Sequence, residues 1–262
     1  MADGTQSISR AIQILKAFDD DNPSRDLGEL VDVTGLNKTT VHRILNALEG
    51  EGLIERTDGN GYRLGSELIA MGGRAARANN LRDIAHSHIW VLSKDTGETV
   101  TLEILRKDSD IAYTLVIDEV LGKHLVGINQ YIGTRLPVHA TSTGKSILAF
   151  LTEDEVSNLL TDNLQRYTDR TQHTSDDLMQ ELTYIRQQRS SLVSGELEEG
   201  LIAIGAPIFD QNSRPIAAIS LVGPSVRLNR EKVNELTARV RDTANAISHA
   251  MGYRNPEPVN EL

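Results

Sequence analysis

The sequence predicts an α+β protein in two parts: a small helical head that ends in a β-hairpin, and a larger domain of strands and helices. Three observations predict it. Apolar residues recur at helical spacing in three short segments before residue 50, and a turn signal, Asp58-Gly59-Asn60-Gly61, then separates two short strand-like runs. Further strand-like runs come in groups between residues 98 and 223, interleaved with helical patterns. Finally, 262 residues accommodate one large domain or a small and a medium one.

Composition narrows the chemistry. The chain has no cysteine, which excludes disulfides, thiolate zinc sites and cysteine nucleophiles and fits a reducing compartment. The start lacks a basic region followed by an apolar run, and no stretch is apolar enough to span a membrane, so a cytoplasmic protein without membrane contact is expected. A net charge of −10 argues at first against nucleic acid, but whole-chain charge can conceal a local face. Residues 1–80 hold nine Lys/Arg and twelve Asp/Glu, and six of those acids fall between Asp19 and Asp32. Residues 33–48 contain no acid, only Lys38 and Arg43.

The elements follow in order. Residues 7–18 place Ile8, Ala11, Ile12 and Leu15 on one helical stripe, with Ser7 or Ser9 as cap, and the acidic turn around Pro23 ends that helix. Residues 27–34 form a second helix closed by Gly35. A third helix begins after the N-cap Asn37 and runs to Gly50. Leu53-Ile54 and Tyr62-Arg63-Leu64 are the arms of the hairpin. Residues 66–80 form a helix weakened by Gly72-Gly73, read as a linker. A helix over 81–95 leads to strands at 98–106, 111–119 and 124–129. Helices follow at 140–151, 153–163 and 175–190, then strands at 202–210 and 215–223, and a long helix at 229–251. Residues 255–262 read as a tail.

Helix, helix, glycine turn, helix and Asn-Gly hairpin is the order of a winged helix-turn-helix, whose second helix enters the major groove of double-stranded DNA. The third helix suits that task. Val41, Ile44, Leu45 and Leu48 share an inward stripe, which leaves Thr39, Arg43 and Asn46 outward with Thr40 and His42 on the flanks. Arginine pairs with guanine, asparagine with adenine and threonine with base or phosphate, while Lys38 at the helix start suits a phosphate. Arg56 and Arg63 flank the hairpin turn and are placed for the backbone or the minor groove. The bland alternative is an ordinary solvated face with two surface arginines.

The runs SISRAIQILKAF, TGLNKTTVHRILNALEGEGLIER and GYRLG resemble the IclR family of bacterial and archaeal regulators. The similarity continues through TGETVTL (96–102), RLPVHATSTGKSILAFL (135–151), EEGLIAIGAPIFD (198–210) and AAISLVGP (217–224). The resemblance implies a winged-helix domain over 1–65, a linker helix over 66–80 and a GAF-like α/β effector domain with a curved antiparallel sheet over 81–254. It also implies dimers or tetramers on palindromic or repeated operators, most often as repressors, and a small organic or aromatic acid as effector, with no cofactor.

In the larger part, HATSTGKSILAFL runs a polar loop into an apolar helix, whose free first-turn N–H groups favour an anion. By motif match the resemblance puts Thr141, Ser142 and Gly144 on one wall of an effector site, and Leu201, Ala203 and Ser220 on the other. Val222 departs from relatives with serine there, which favours a more apolar or larger ligand. Two likenesses are rejected. The phosphate-loop pattern ending at Lys145-Ser146 has His139 in place of its first glycine, and Ser142-x-x-Lys145 lacks the partner motifs of penicillin-recognising enzymes. His86 and His88 point to different helix faces, and Glu196, Glu198 and Glu199 read as a solvated turn. No nucleophile–base pair, metal set or cofactor loop can be assembled. A transcription factor is therefore preferred to an enzyme acting on a small carboxylic acid, and to a ligand-binding module that works only through protein partners.

Overall fold

The computed structural model describes residues 3–19, 21–77, 80–108, 111–124, 131–160 and 164–254. The chain divides into two compact units, Met1–Ala78 and Asn79–Leu262.

The first unit contains α1 (Asp3–Leu15), β1 (Ser24–Arg25), α2 (Leu27–Thr34), α3 (Lys38–Gly50), β2 (Ile54–Arg56), β3 (Tyr62–Leu64) and α4 (Ser66–Arg77). Local chemistry sets the boundaries of α2. Asp26 takes the N–H of Glu29 at 2.9 Å and Glu29 returns to the N–H of Asp26 at 2.8 Å, a reciprocal cap. Gly35 then ends the helix at φ 66°, a conformation that would strain a residue with a Cβ. Ile14, Phe18, Leu30, Val41, Ile44, Leu45, Leu48, Ile54 and Tyr62 form its core. The first helix ends three residues before the expected 18, because Ala17 and Phe18 turn inward to that core. The acidic turn also supplies the short strand β1, which pairs with β3 and was not expected. Two residues carry no periodicity. The strand is anchored by Arg25, whose Nε donates to the Ala17 carbonyl at 2.6 Å.

The second unit contains α5 (Asn80–Thr96), β4 (Thr99–Asp108), β5 (Ile111–Val120), β6 (Arg135–Pro137), α6 (Ser142–Leu148), α7 (Glu153–Leu159), α8 (Ser175–Gln188), β7 (Ser191–Ser194), β8 (Leu201–Phe209), β9 (Pro215–Pro224) and α9 (Arg230–Ala250). Among the described residues the strands form one antiparallel sheet in the order β6-β5-β4-β9-β8-β7. Alternation along β8 sends Ile204, Ala206 and Ile208 to one face, where β4, β9, α5 and α9 complete the larger core. A second apolar cluster gathers Val138, Leu148, Val156, Leu178, Leu182 and Ile185 beneath α6, α7 and α8.

The helix expected over 140–151 is shorter. Thr141 caps it at one end, and tighter i to i−3 hydrogen bonds at Phe150 and Leu151 close it at the other. Short β6 and β7 escaped the sequence reading, since three or four residues give no usable alternation. Of the strand expected at 124–129, residues 125–129 lie outside the described residues, and His124 is in a bend.

Candidate functional site

The outward face of α3 has the form its periodicity dictates. Val41, Ile44, Leu45 and Leu48 are buried, and Lys38, Thr39, His42, Arg43 and Asn46 are exposed. Thr40 is half-buried on the flank. Asn37 starts the helix by accepting the Thr40 N–H at 2.8 Å, so the first turn is rigid where a phosphate contact at Lys38 would lie. Asn46 donates from Nδ2 to His42 Nδ1 at 3.4 Å, a weak contact that a base edge can displace.

The hairpin arginines are not free. Arg56 Nε donates to both Glu49 carboxylate oxygens at 3.0 and 3.1 Å, and its guanidinium lies 5.4 Å from the centre of the Tyr62 ring. Its Nη2 also reaches Asn46 Oδ1 at 3.4 Å, so it acts on α3 as much as on the hairpin. Arg63 donates to Glu55 at 2.9 Å, and burial offers no protection to either pair. Such exposed pairs contribute little to stability. Sequence reading missed both acids because the partners lie seven and eight residues away across a turn.

In the second unit, Thr141, Ser142, Leu201, Ala203 and Ser220 line one small cavity of about 40 Å³, together with Glu103, Thr143, Val193, Glu196, Glu198 and Val222. Ser142 Oγ and Ser220 Oγ meet at 2.8 Å across it, which ties α6 to β9. Gly144 is not in the lining. It faces Val138, where a Cβ would come within 2.2 Å of the carbonyl oxygen, so its role is close packing. The first turn of α6 is partly satisfied from within, because Thr141 Oγ1 accepts the Gly144 N–H at 3.2 Å. The surrounding wall is acidic rather than basic.

That acidity is compensated. Glu103 is completely buried and accepts from Thr101 at 2.9 Å, Thr114 at 2.6 Å and Thr143 at 2.5 Å. Burial pushes its carboxyl up from the ordinary range against the pull of those three hydroxyls. Glu196, expected in a solvated turn, is instead buried, with both oxygens on Lys145 Nζ at 2.7 and 2.8 Å. Lys145 has no exposed surface and also reaches Glu181 at 2.6 Å. Burial raises the Glu181 carboxyl as well. The lysine of the rejected phosphate-loop pattern is therefore the centre of a buried charge cluster. Glu103 had a signal in the sequence, an acid inside the strand Thr101–Leu105. The Lys145 partners had none, being 36 and 51 residues away.

A recognition helix on a winged scaffold, carried with a second unit that holds a small cavity between α6, β8 and β9, defines a DNA-binding transcriptional regulator. The comparisons agree. The model of the IclR helix-turn-helix domain matches residues 7–58, and that of the bacterial transcriptional regulator IclR C-terminal domain matches residues 73–249. The chain belongs to the IclR family of transcriptional regulators. It is 32% identical over 249 residues to the transcriptional repressor IclR of Escherichia coli K12, covering 94% of this chain and 90% of that one. It is 33% identical over 250 residues to the regulator XynR of the same organism, covering 95% and 98%. The crystal structure of an IclR homologue from Microbacterium hydrocarbonoxydans, complexed with 4-hydroxybenzoate, shares the fold with a TM-score of 0.80 at 23% identity, covering 94% of this chain and 98% of that one.

Proposed function

We propose that this regulator represses transcription in the cytoplasm as a homodimer or homotetramer, and that a small organic or aromatic acid controls its hold on the operator. In this reading residues 1–65 read DNA, 66–80 link, and 81–254 sense the effector. The observation that carries it is the exposed polar face of α3, with Thr39, Arg43 and Asn46 outward over a buried apolar stripe. Lys38, Thr40, His42, Arg56 and Arg63 surround these three and contact phosphate or groove walls. Exposed Ile8 and Ile12 on α1, and Ile69 and Met71 on α4, support self-association, since a second copy would cover them. A dimeric reader imposes its own twofold on DNA, so the operator has two half-sites with dyad symmetry.

Thr141, Ser142, Leu201, Ala203 and Ser220 hold the effector, and Gly144 supports their wall by packing. An acid is compatible with the carboxyl-bearing lining because Lys145 neutralises Glu196 and burial favours the uncharged form of Glu103. Ligand that prefers one conformer shifts the population and with it the operator affinity. The name of the repressor IclR and the 4-hydroxybenzoate complex of the structural relative support repression and a small acid respectively. The test is a gel shift with DNA flanking the chain's own gene, at low salt, with and without a panel of small acids. A shift reversed by one acid is expected; no shift with any flanking DNA would contradict the reading.

A further inference from the structure

A second cavity lies beside β5 and β6, closed by residues from Leu159 to Tyr167. It measures about 490 Å³ against about 40 Å³ for the first, and Leu136 belongs to the lining of both. The first has room for only a few water-sized groups, at roughly 10–15 Å³ each. The second is within the range of about 300–1,000 Å³ usual for organic ligands.

Its chemistry is specific. Ile111, Leu136, Leu160 and Leu164 supply apolar wall, and two tyrosines and a histidine supply rings. Arg135 is stacked over Tyr113 with its guanidinium carbon 4.4 Å from the ring centre, and it donates from Nη1 to Asp108 at 2.8 Å. Its remaining N–H donors have no partner among the described residues, and a guanidinium fork held over a ring by that contact and by Asp108 is preorganised for a carboxylate. His139 is nine-tenths buried at the wall, 5.8 Å from the Tyr167 ring. Its Nε2 lies 2.8 Å from the Gln165 carbonyl, which fixes the proton there and leaves Nδ1 as an acceptor without a partner among the described residues. Burial holds the ring neutral by lowering its proton affinity.

We infer that this cavity binds an aromatic carboxylate: the carboxylate on the Arg135 fork, the ring among Tyr113, Tyr167 and the aliphatic side chains, and any ring hydroxyl donating to His139 Nδ1. The inference deepens the effector reading by giving aromatic acids a site apart from the Ser142–Ser220 cavity. Asp108 opposes an incoming anion, so it has to stay on Nη1 while the ligand takes the other donors.

The test is isothermal titration of the full chain with benzoate, benzamide, cyclohexanecarboxylate and propionate. Benzoate is expected to bind at least tenfold more tightly than benzamide or cyclohexanecarboxylate. Arg135→Gln, at a half-exposed side chain, is expected to leave the melting temperature unchanged, weaken benzoate at least tenfold and leave propionate alone. Tyr167→Ala weakens benzoate several-fold. Ala203→Leu, which fills the first cavity, abolishes propionate binding and spares benzoate. If Ala203→Leu removes benzoate while Arg135→Gln does not, the aromatic acid is in the first cavity and the inference fails. Absence of benzoate binding to the unaltered chain overturns it too, whereas absence of propionate binding to the unaltered chain counts only against the first-cavity reading.

Discussion

Helices α3 and α6 begin alike and end in opposite roles. Each follows a capping side chain, Asn37 or Thr141, and each carries hydroxyl residues and a lysine in its first turns. In α3 those polar groups face water, with Lys38, Thr39 and Arg43 exposed. In α6 all seven residues are buried, and Lys145 has no exposed surface. Polar residue types alone therefore decide little. An exposed polar face spends nothing on internal partners and stays available to DNA. A buried one must be satisfied within the protein, and three of the partners that satisfy it, Glu103, Glu196 and Ser220, also line the cavity.

The contrast is broken most severely at Lys145. Lys145→Met leaves Glu196 and Glu181 without their counter-charge, and should destabilise the second unit by about 3–5 kcal/mol. Chemical denaturation checks this, and a loss below about 1 kcal/mol would mean that the cluster relaxes into solvent. The same side chain at position 38 tells the opposite story. Removing the cap of α3 comes next: Asn37→Ala should cost about 1 kcal/mol of stability in the first unit. Lys38→Ala should leave stability within about 0.5 kcal/mol. It should weaken all DNA sequences alike, and lower the salt slope of binding by about one. Salt titration of anisotropy with specific and random duplexes measures both effects.

The smallest effect concerns pH. Because burial raises the Glu103 carboxyl, the folded chain holds that proton where the unfolded chain has lost it. Stability contributed there is present below the ordinary carboxylate range and declines as pH rises through the raised value. Glu103→Gln removes this proton linkage, so the stability difference, variant minus unaltered chain, should grow from about pH 4 to about pH 7. A constant difference would show that the three threonine hydroxyls already offset the burial.

How far the sequence discloses all this differs between the two regions. The α3 face is legible because one helix contains its own test: a single 3.6-residue stripe assigns inside and outside together. Asn37, Gly35 and the Asn60 turn were legible for the same local reason. The run HATSTGKSILAFL pointed to the place, but the lining of the cavity was legible only by resemblance, which brought five of its residues together and put Gly144 beside them although it packs on Val138. Lys145–Glu181, Lys145–Glu196 and Glu103–Thr143 join residues 36 to 51 positions apart, and no local pattern encodes such pairings. The pairs Arg56–Glu49 and Arg63–Glu55 escaped notice for a milder form of the same reason, a register across a short turn.

DNA reading by the outward groups of α3 is tested most directly by one ratio. Affinity for the operator divided by affinity for random duplex, at one fixed salt concentration, should fall by about 10-fold or more for Arg43→Ala and further for Arg43→Ala with Asn46→Ala. Binding to random DNA should change far less. A ratio that stays at the value of the unaltered chain in both variants would contradict the account and place sequence reading elsewhere in the molecule.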